Sequence, residues 1–165
     1  MSDFLRTMAT GSEQRAALIQ RQFSASLFDL PVFPLALRAF DLIAEIKIRS
    51  PSEGELSREQ ASRADRALQY LQGGAAAISV LTEPSRFGGD MSHLREVVAA
   101  VKGTGMPVMR KDFLVDLRQV LEARAGGASG VDPERLFCKG FQPSCNPADS
   151  AVLRPGRRDK AALTV

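Results

Sequence analysis

The chain has 165 residues, 44% apolar and 25% charged, with a formal net charge of +3. These proportions suit a single soluble domain with one core. They exclude a membrane span, because no run approaches the roughly 18 apolar residues one needs. The opening Met-Ser-Asp-Phe-Leu-Arg lacks the basic and apolar blocks of a secretory leader, so a cytoplasmic location and no membrane partner are expected. Residues 1–131 hold 16 Lys/Arg against 15 Asp/Glu, so the basic excess belongs to the last 34 residues. With one Tyr and no Trp to interleave with basic side chains, a nucleic-acid surface is not expected.

In chain order, Glu13 to Phe23 fits an amphipathic helix through Ala17, Leu18 and Phe23, and Ser24 to Phe40, with Pro31 and Pro34, reads as a loop leading into a short helical turn. From residue 42 the text alternates between strand-like and helix-like segments. Leu42 to Lys47 is short and apolar-rich, and it is closed by the breaker run Ser50-Pro51-Ser52-Glu53-Gly54, which predicts a buried strand and then a loop. Ser57 opens a helix with Gln60 in capping-box position; Ala61, Ala64, Leu68 and Leu71 form its stripe and Gly73-Gly74 ends it.

Ala76 to Thr82 is the second strand, and the loop Glu83 to Gly89 leads to a helix capped by Asp90. The apolar face of that helix is Leu94, Val97, Val98 and Val101, and Gly103 or Gly105 stops it. Pro107 to Phe113 is the third strand, with proline at its tolerated first position. Asp116 caps a third helix with the stripe Leu117, Val120 and Leu121, closed by Gly126-Gly127, and Ala128 to Val131 begins a fourth strand. Successive strand–helix units of about this length define an α/β fold with a parallel sheet.

In such folds the ligand site lies at the carboxyl ends of the strands. Glu45 and Lys47, two apart on one strand, share a face and form either an acid/base pair or anion clamp or a structural ion pair. Lys111, between Arg110 and Asp112 at the end of an apolar strand, reaches the level of Lys47 if the two strands are neighbours. A buried lysine there has the lowered pKa that a general acid needs; the alternative is a lysine extending to solvent from an edge strand. Ser50, Pro51 and Ser52 offer hydroxyls and backbone donors to an anion. His93 lies among helix signals and carries no expected role.

Together, Ile43-Ala44-Glu45-Ile46-Lys47 with Ser50-Pro51-Ser52, Gly74 to Pro84, Phe87-Gly88-Gly89, Arg110-Lys111-Asp112-Phe113 and Glu122 to Ala128 resemble the indole-3-glycerol-phosphate synthase family over residues 38–131. The resemblance implies a (β/α)8 barrel with an N-terminal extension. It also implies a carbon–carbon lyase of tryptophan biosynthesis, which closes the ring of 1-(2-carboxyphenylamino)-1-deoxyribulose 5-phosphate with loss of CO2 and water. By position, Lys111 matches the general acid, Lys47 the lysine that holds the substrate's anionic groups, and Glu45 the glutamate of the first strand. Ser50, Pro51 and Ser52 match the loop after that strand, and Phe87 and Phe113 match residues lining the anthranilate end. The resemblance implies no metal or organic cofactor.

The family pattern stops near Val131, and the remaining text carries four prolines, Cys138 and Cys145 without sustained periodicity. The cysteines have neither a disulfide framework nor zinc-ligand spacing. The expected organisation is an N-terminal extension (1–41), the first three to four βα units of a barrel (42–131) and a non-family, disordered tail (132–165). That break reads as a shifted frame or a mispredicted gene end. The chain alone is expected to have little synthase activity, its strand Ala77 to Leu81 partly exposed and its open barrel edge available for self-association. The rival readings are a non-catalytic open-sheet module that binds an anion or phosphate, and a half-barrel that works by assembly.

Overall fold

The computed structural model describes residues 3–20, 23–37, 41–55 and 61–133. Four parallel strands form one sheet: β1 (Ile43–Ile46), β4 (Ala77–Leu81), β5 (Val108–Asp112) and β6 (Gly130–Pro133), in the spatial order β1-β4-β5-β6. Each predicted strand is present to within one or two residues, and the fourth begins where expected. Helices α2 (Arg63–Gln72), α4 (Met91–Ala100) and α5 (Leu117–Ala125) follow β1, β4 and β5 in turn. The βα alternation is therefore that of a partial (β/α)8 barrel.

The core lies between the sheet and these helices. Ile46, Ile78, Val80, Val108 and Val131 from the strands meet Ala67, Leu94, Val97, Val101 and Ala123 from the helices. Strand β4 does not expose its apolar residues as expected: Ala77 to Leu81 are all buried, none above 6% exposed. It lies inside the sheet between β1 and β5, so neither of its edges is open.

Several boundaries and faces differ from the sequence reading, each for a local reason. The first helix, α1, spans Asp3–Ala17 and buries Met8, Ser12 and Ala16, while Leu18 is 78% exposed. Its inward stripe is small and partly polar, with the Ser12 hydroxyl donating to the Phe113 carbonyl, so hydrophobic periodicity could not find it. A 3-10 turn, Ala25–Asp29, capped by the Ser24 hydroxyl, is the short helical turn of the next segment, although it comes early in that segment.

The run after β1 is more than a loop. β2 (Arg49–Ser50) and β3 (Gly54–Glu55) pair antiparallel, and Gly54 takes a φ of 73° that favours glycine. The cap of α2 is Ser62, which with Asp65 forms a reciprocal capping box; Ser57 and Gln60 lie outside the described residues. The buried face of α2 is Ala67 with Tyr70 and Leu71 against the core, leaving Leu68 at 38% exposed.

Helix α4 starts after Asp90 and buries Leu94, Val97 and Val101 as its pattern predicts, but it ends at Ala100, before the glycines. Helix α5 starts after Asp116 and closes at Gly126, yet it buries Gln119, Ala123 and Arg124 and leaves Leu117 42% exposed. Both polar side chains are satisfied. Gln119 accepts from the backbone N–H groups of Val115 and Asp116 and donates to Ser12, and Arg124 donates to the carbonyls of Leu30 and Pro31.

The segment between β4 and α4, expected as a loop, contains a four-residue helix, α3 (Pro84–Phe87). Its chain reversal depends on Gly89, where an added Cβ would lie 2.5 Å from the Leu81 carbonyl oxygen. Tail positions from 134 onward, including Cys138 and Cys145, lie outside the described residues.

Candidate active site

Alternation along β1 puts Glu45 and Lys47 on the sheet face opposite Ala44 and Ile46, which are buried. The register Ile46↔Val80, carried one residue further, sets Lys47 level with Leu81, and Leu81 is paired with Lys111. The two lysines therefore share a level, as expected, but their strands are not neighbours, because β4 runs between them. The long side chains close the gap. Lys111 Nζ donates to Glu45 Oε2 at 2.8 Å, and Lys47 Nζ lies 3.3 Å from Glu45 Oε1. One carboxylate thus sits between two ammonium groups, with each oxygen facing one of them.

All three side chains are between a quarter and a third exposed, so the cluster is open to a ligand. Burial is the largest single influence on Glu45 and raises its pKa. The hydrogen bond and charge of Lys111, then those of Lys47, outweigh it and hold the carboxyl below the usual carboxylate value. A carboxylate whose folded pKa is depressed stabilises the fold above its unfolded pKa, and that stability is lost as pH falls through the lower folded value. Glu45→Gln is therefore expected to flatten the fall in the urea midpoint as pH drops below about 4.5, the ordinary value for the group. Urea titrations between pH 7 and pH 3 measure this, and an unchanged acid limb would refute it.

Around the cluster lies a cleft of about 150 Å³ lined by Glu45, Lys47, Leu81, Phe87, Lys111, Asp112 and Phe113. The Phe87 and Phe113 rings stand 6.4 Å apart, tilted by 31°, and form an apolar wall beside the charges. Five of the eight side chains singled out in the sequence thus meet at one place. The other three do not line the cleft. Ser50 is buried with its hydroxyl 3.0 Å from that of Ser52, while Pro51 and Ser52 face solvent at the β2–β3 turn. His93 lies on α4 away from the cleft. Burial, then the Arg63 charge, lowers its pKa.

Three supporting groups escaped the sequence reading. Glu83, 1% exposed, caps α3 by accepting from the N–H groups of Ser85, Arg86 and Phe87, and so fixes the turn that carries Phe87. Arg49 donates to the carbonyls of Ser85 and Arg86 from the β2 side. Asp112, fully buried, accepts from Arg110, Thr82, Arg15 and the Phe113 N–H. Alternation did offer a signal for Asp112, since Arg110 and Asp112 are opposite charges sharing one face of an apolar strand. No pattern pointed to Arg15, which lies 97 residues away in sequence.

Parallel βα units with a charged cluster at the carboxyl ends of the strands place the molecule in the βα-barrel class, whose ligand sites lie at that end. The indole-3-glycerol phosphate synthase family model matches residues 10–131, and the chain belongs to that family, whose fold is the TIM barrel. The match reaches 28 residues further toward the N-terminus than the resemblance did and takes in most of α1. Among relatives, the indole-3-glycerol phosphate synthase of Nocardioides sp. is 44% identical over 129 residues, covering 71% of this chain and 48% of the relative. That of Burkholderia ambifaria is 43% identical over 144 residues, with 79% and 54% covered. That of Paenarthrobacter aurescens is 54% identical over 87 residues, with 53% and 30% covered. The chain spans about half the length, or less, of these curated relatives. Among the described residues, no helix is long and apolar enough to cross a membrane, and no group of three or more His, Cys, Asp or Glu is placed to hold a metal ion.

Proposed function

We propose that the cleft serves the ring closure that the family resemblance implies: conversion of 1-(2-carboxyphenylamino)-1-deoxyribulose 5-phosphate to indole-3-glycerol phosphate. The observation that carries this reading is Glu45 held between Lys47 and Lys111 beside the Phe87–Phe113 wall. The phenyl ring would lie against the two aromatic side chains, with its anionic groups toward Lys47. The bond forms between the ring carbon bearing the carboxylate and the ketone carbon. As the ketone oxygen gains negative charge, Lys111 donates a proton to it, a role suited to an ammonium aimed at a developing alkoxide. CO2 then leaves, its bonding electrons restoring the aromatic ring; the new hydroxyl departs as water while the neighbouring N–CH2 carbon gives up a proton, and the electrons of that C–H bond form the double bond that completes the indole.

In this reading residues 1–41 lead into the barrel and 42–131 supply its first units. The cleft is smaller than the roughly 300–1,000 Å³ of pockets that enclose a small ligand, and β1 and β6 are edge strands of the described sheet. The described residues thus supply one wall of a site. The chain alone is expected to bind the substrate and turn it over at least about 100-fold more slowly than a full-length relative. Self-association through the open edges belongs to the same proposal.

The test is to titrate the purified chain with 1-(2-carboxyphenylamino)-1-deoxyribulose 5-phosphate, following anthranilate fluorescence for binding and indole fluorescence for product. Saturable binding with slow product formation is the expected result. Failure to bind would overturn the functional reading, and turnover at the relative's rate would overturn the half-site argument.

A further inference from the structure

The residues between α1 and the sheet form a charged network that the proposed chemistry does not use. Arg15, on the last turn of α1, places Nη2 at 2.7 Å from Asp112 Oδ1 and Nη1 at 3.6 Å from Glu83 Oε1. Both carboxylates are essentially inaccessible to solvent. Asp112 directly follows Lys111 and accepts the Phe113 N–H. Glu83 caps the turn that carries Phe87. A single guanidinium therefore touches the anchors of both rings of the apolar wall, Phe113 through Asp112 and Phe87 through Glu83. Two further contacts hold α1 at this spot: the Phe4 ring meets Phe113 edge-on at 6.1 Å, and the Ser12 hydroxyl donates to the Phe113 carbonyl.

We infer that Arg15 is a positioning residue of the cleft, coupling the Lys111–Phe113 strand end to the Phe87 turn through Asp112 and Glu83. Its relevance to catalysis rests on the functional reading above, but the coupling itself does not. A planar, forked guanidinium spreads its donors over two carboxylates at once, whereas an ammonium is a compact point charge that settles against the nearer one, Asp112. Without the fork, Asp112 keeps Arg110 and Thr82, while Glu83 loses the cation that faces it, and the two rings are free to move separately.

Hydrogen exchange on the full chain tests this without substrate. In Arg15→Gln, exchange at the amides of Ser85, Arg86, Phe87 and Phe113 is expected to rise at least tenfold, with Val97 and Val101 of α4 changing less than twofold. Arg15→Lys is expected to separate the two rings, protecting Phe113 while releasing residues 85–87. As a second readout, acetic anhydride labelling of Lys111, relative to Lys102, is expected to rise at least threefold in Arg15→Gln as the Lys111–Glu45 contact loosens. A uniform rise that includes Val97 and Val101, or unchanged protection at residues 85–87, would overturn the inference. Because no substrate is involved, such a failure is distinct from a failure of the chain to bind the phosphorylated ketone.

Discussion

Asp112→Ala is expected to lower the stability of the chain by about 3–5 kcal/mol, the usual cost of removing one partner from a buried ion pair. The side chain is fully buried and accepts four hydrogen bonds. Its loss strands Arg110, itself 3% exposed, with Glu122 as its remaining carboxylate partner, and leaves Arg15 with only the longer contact to Glu83. The Thr82 hydroxyl loses its acceptor as well, and each buried polar group left unpaired adds a desolvation penalty. At the usual dependence of stability on urea, this is a midpoint shift on the order of 2 M. Arg118→Ala provides the contrast: its pair with Asp116 is solvent-exposed and screened by water, so its loss is expected to leave the urea midpoint nearly unchanged. Equal midpoints for the two variants would mean that the buried network contributes nothing to the fold.

That network also marks where the sequence stops being readable. The strands β1, β4 and β5 and the starts of α4 and α5 follow from apolar runs, glycine stops and the caps Asp90 and Asp116, all of which are local signals. Glu45 and Lys47 are paired by alternation within a single strand. Lys111 needed the sheet order: the shared level was conditional on neighbouring strands, yet it holds with β4 between them, and a lysine is long enough to cross β4 and still reach Glu45. The helix faces failed where polar side chains are buried. Ser12, Gln119 and Arg124 face inward because a carbonyl or a hydroxyl from a distant segment accepts a hydrogen bond from each of them. Hydrophobic periodicity treats such positions as surface, and no single-segment pattern reveals the partner. The Ser50–Ser52 run shows the converse. Its composition suits an anion loop, yet it forms the β2–β3 turn and lines no part of the cleft around Glu45.

Lys111→Met is expected to have the largest effect on the site, and to act on binding and chemistry separately. A hydrogen bond from the Lys111 ammonium to the ketone oxygen is charge-assisted and worth about 1.5–3 kcal/mol, so affinity for the phosphorylated ketone should fall roughly 10- to 150-fold. The residual rate of indole formation should fall by a further 10²–10⁴, the usual contribution of a positioned general acid. Glu45 would keep only Lys47, at 3.3 Å, so its carboxyl pKa should also rise from its depressed value. Lys111→Arg separates the two contributions. A guanidinium keeps the positive charge and can still donate a hydrogen bond to the ketone oxygen, but it does not give up its proton in a protein. Binding should therefore recover to within about tenfold of the parent chain while product formation remains as low as in Lys111→Met. Fluorescence titration and single-turnover measurements on the same three proteins resolve the question. If the arginine variant restored both binding and rate, Lys111 would be acting as a charge alone, and the proton on the ketone oxygen would have to come from another group in the cleft.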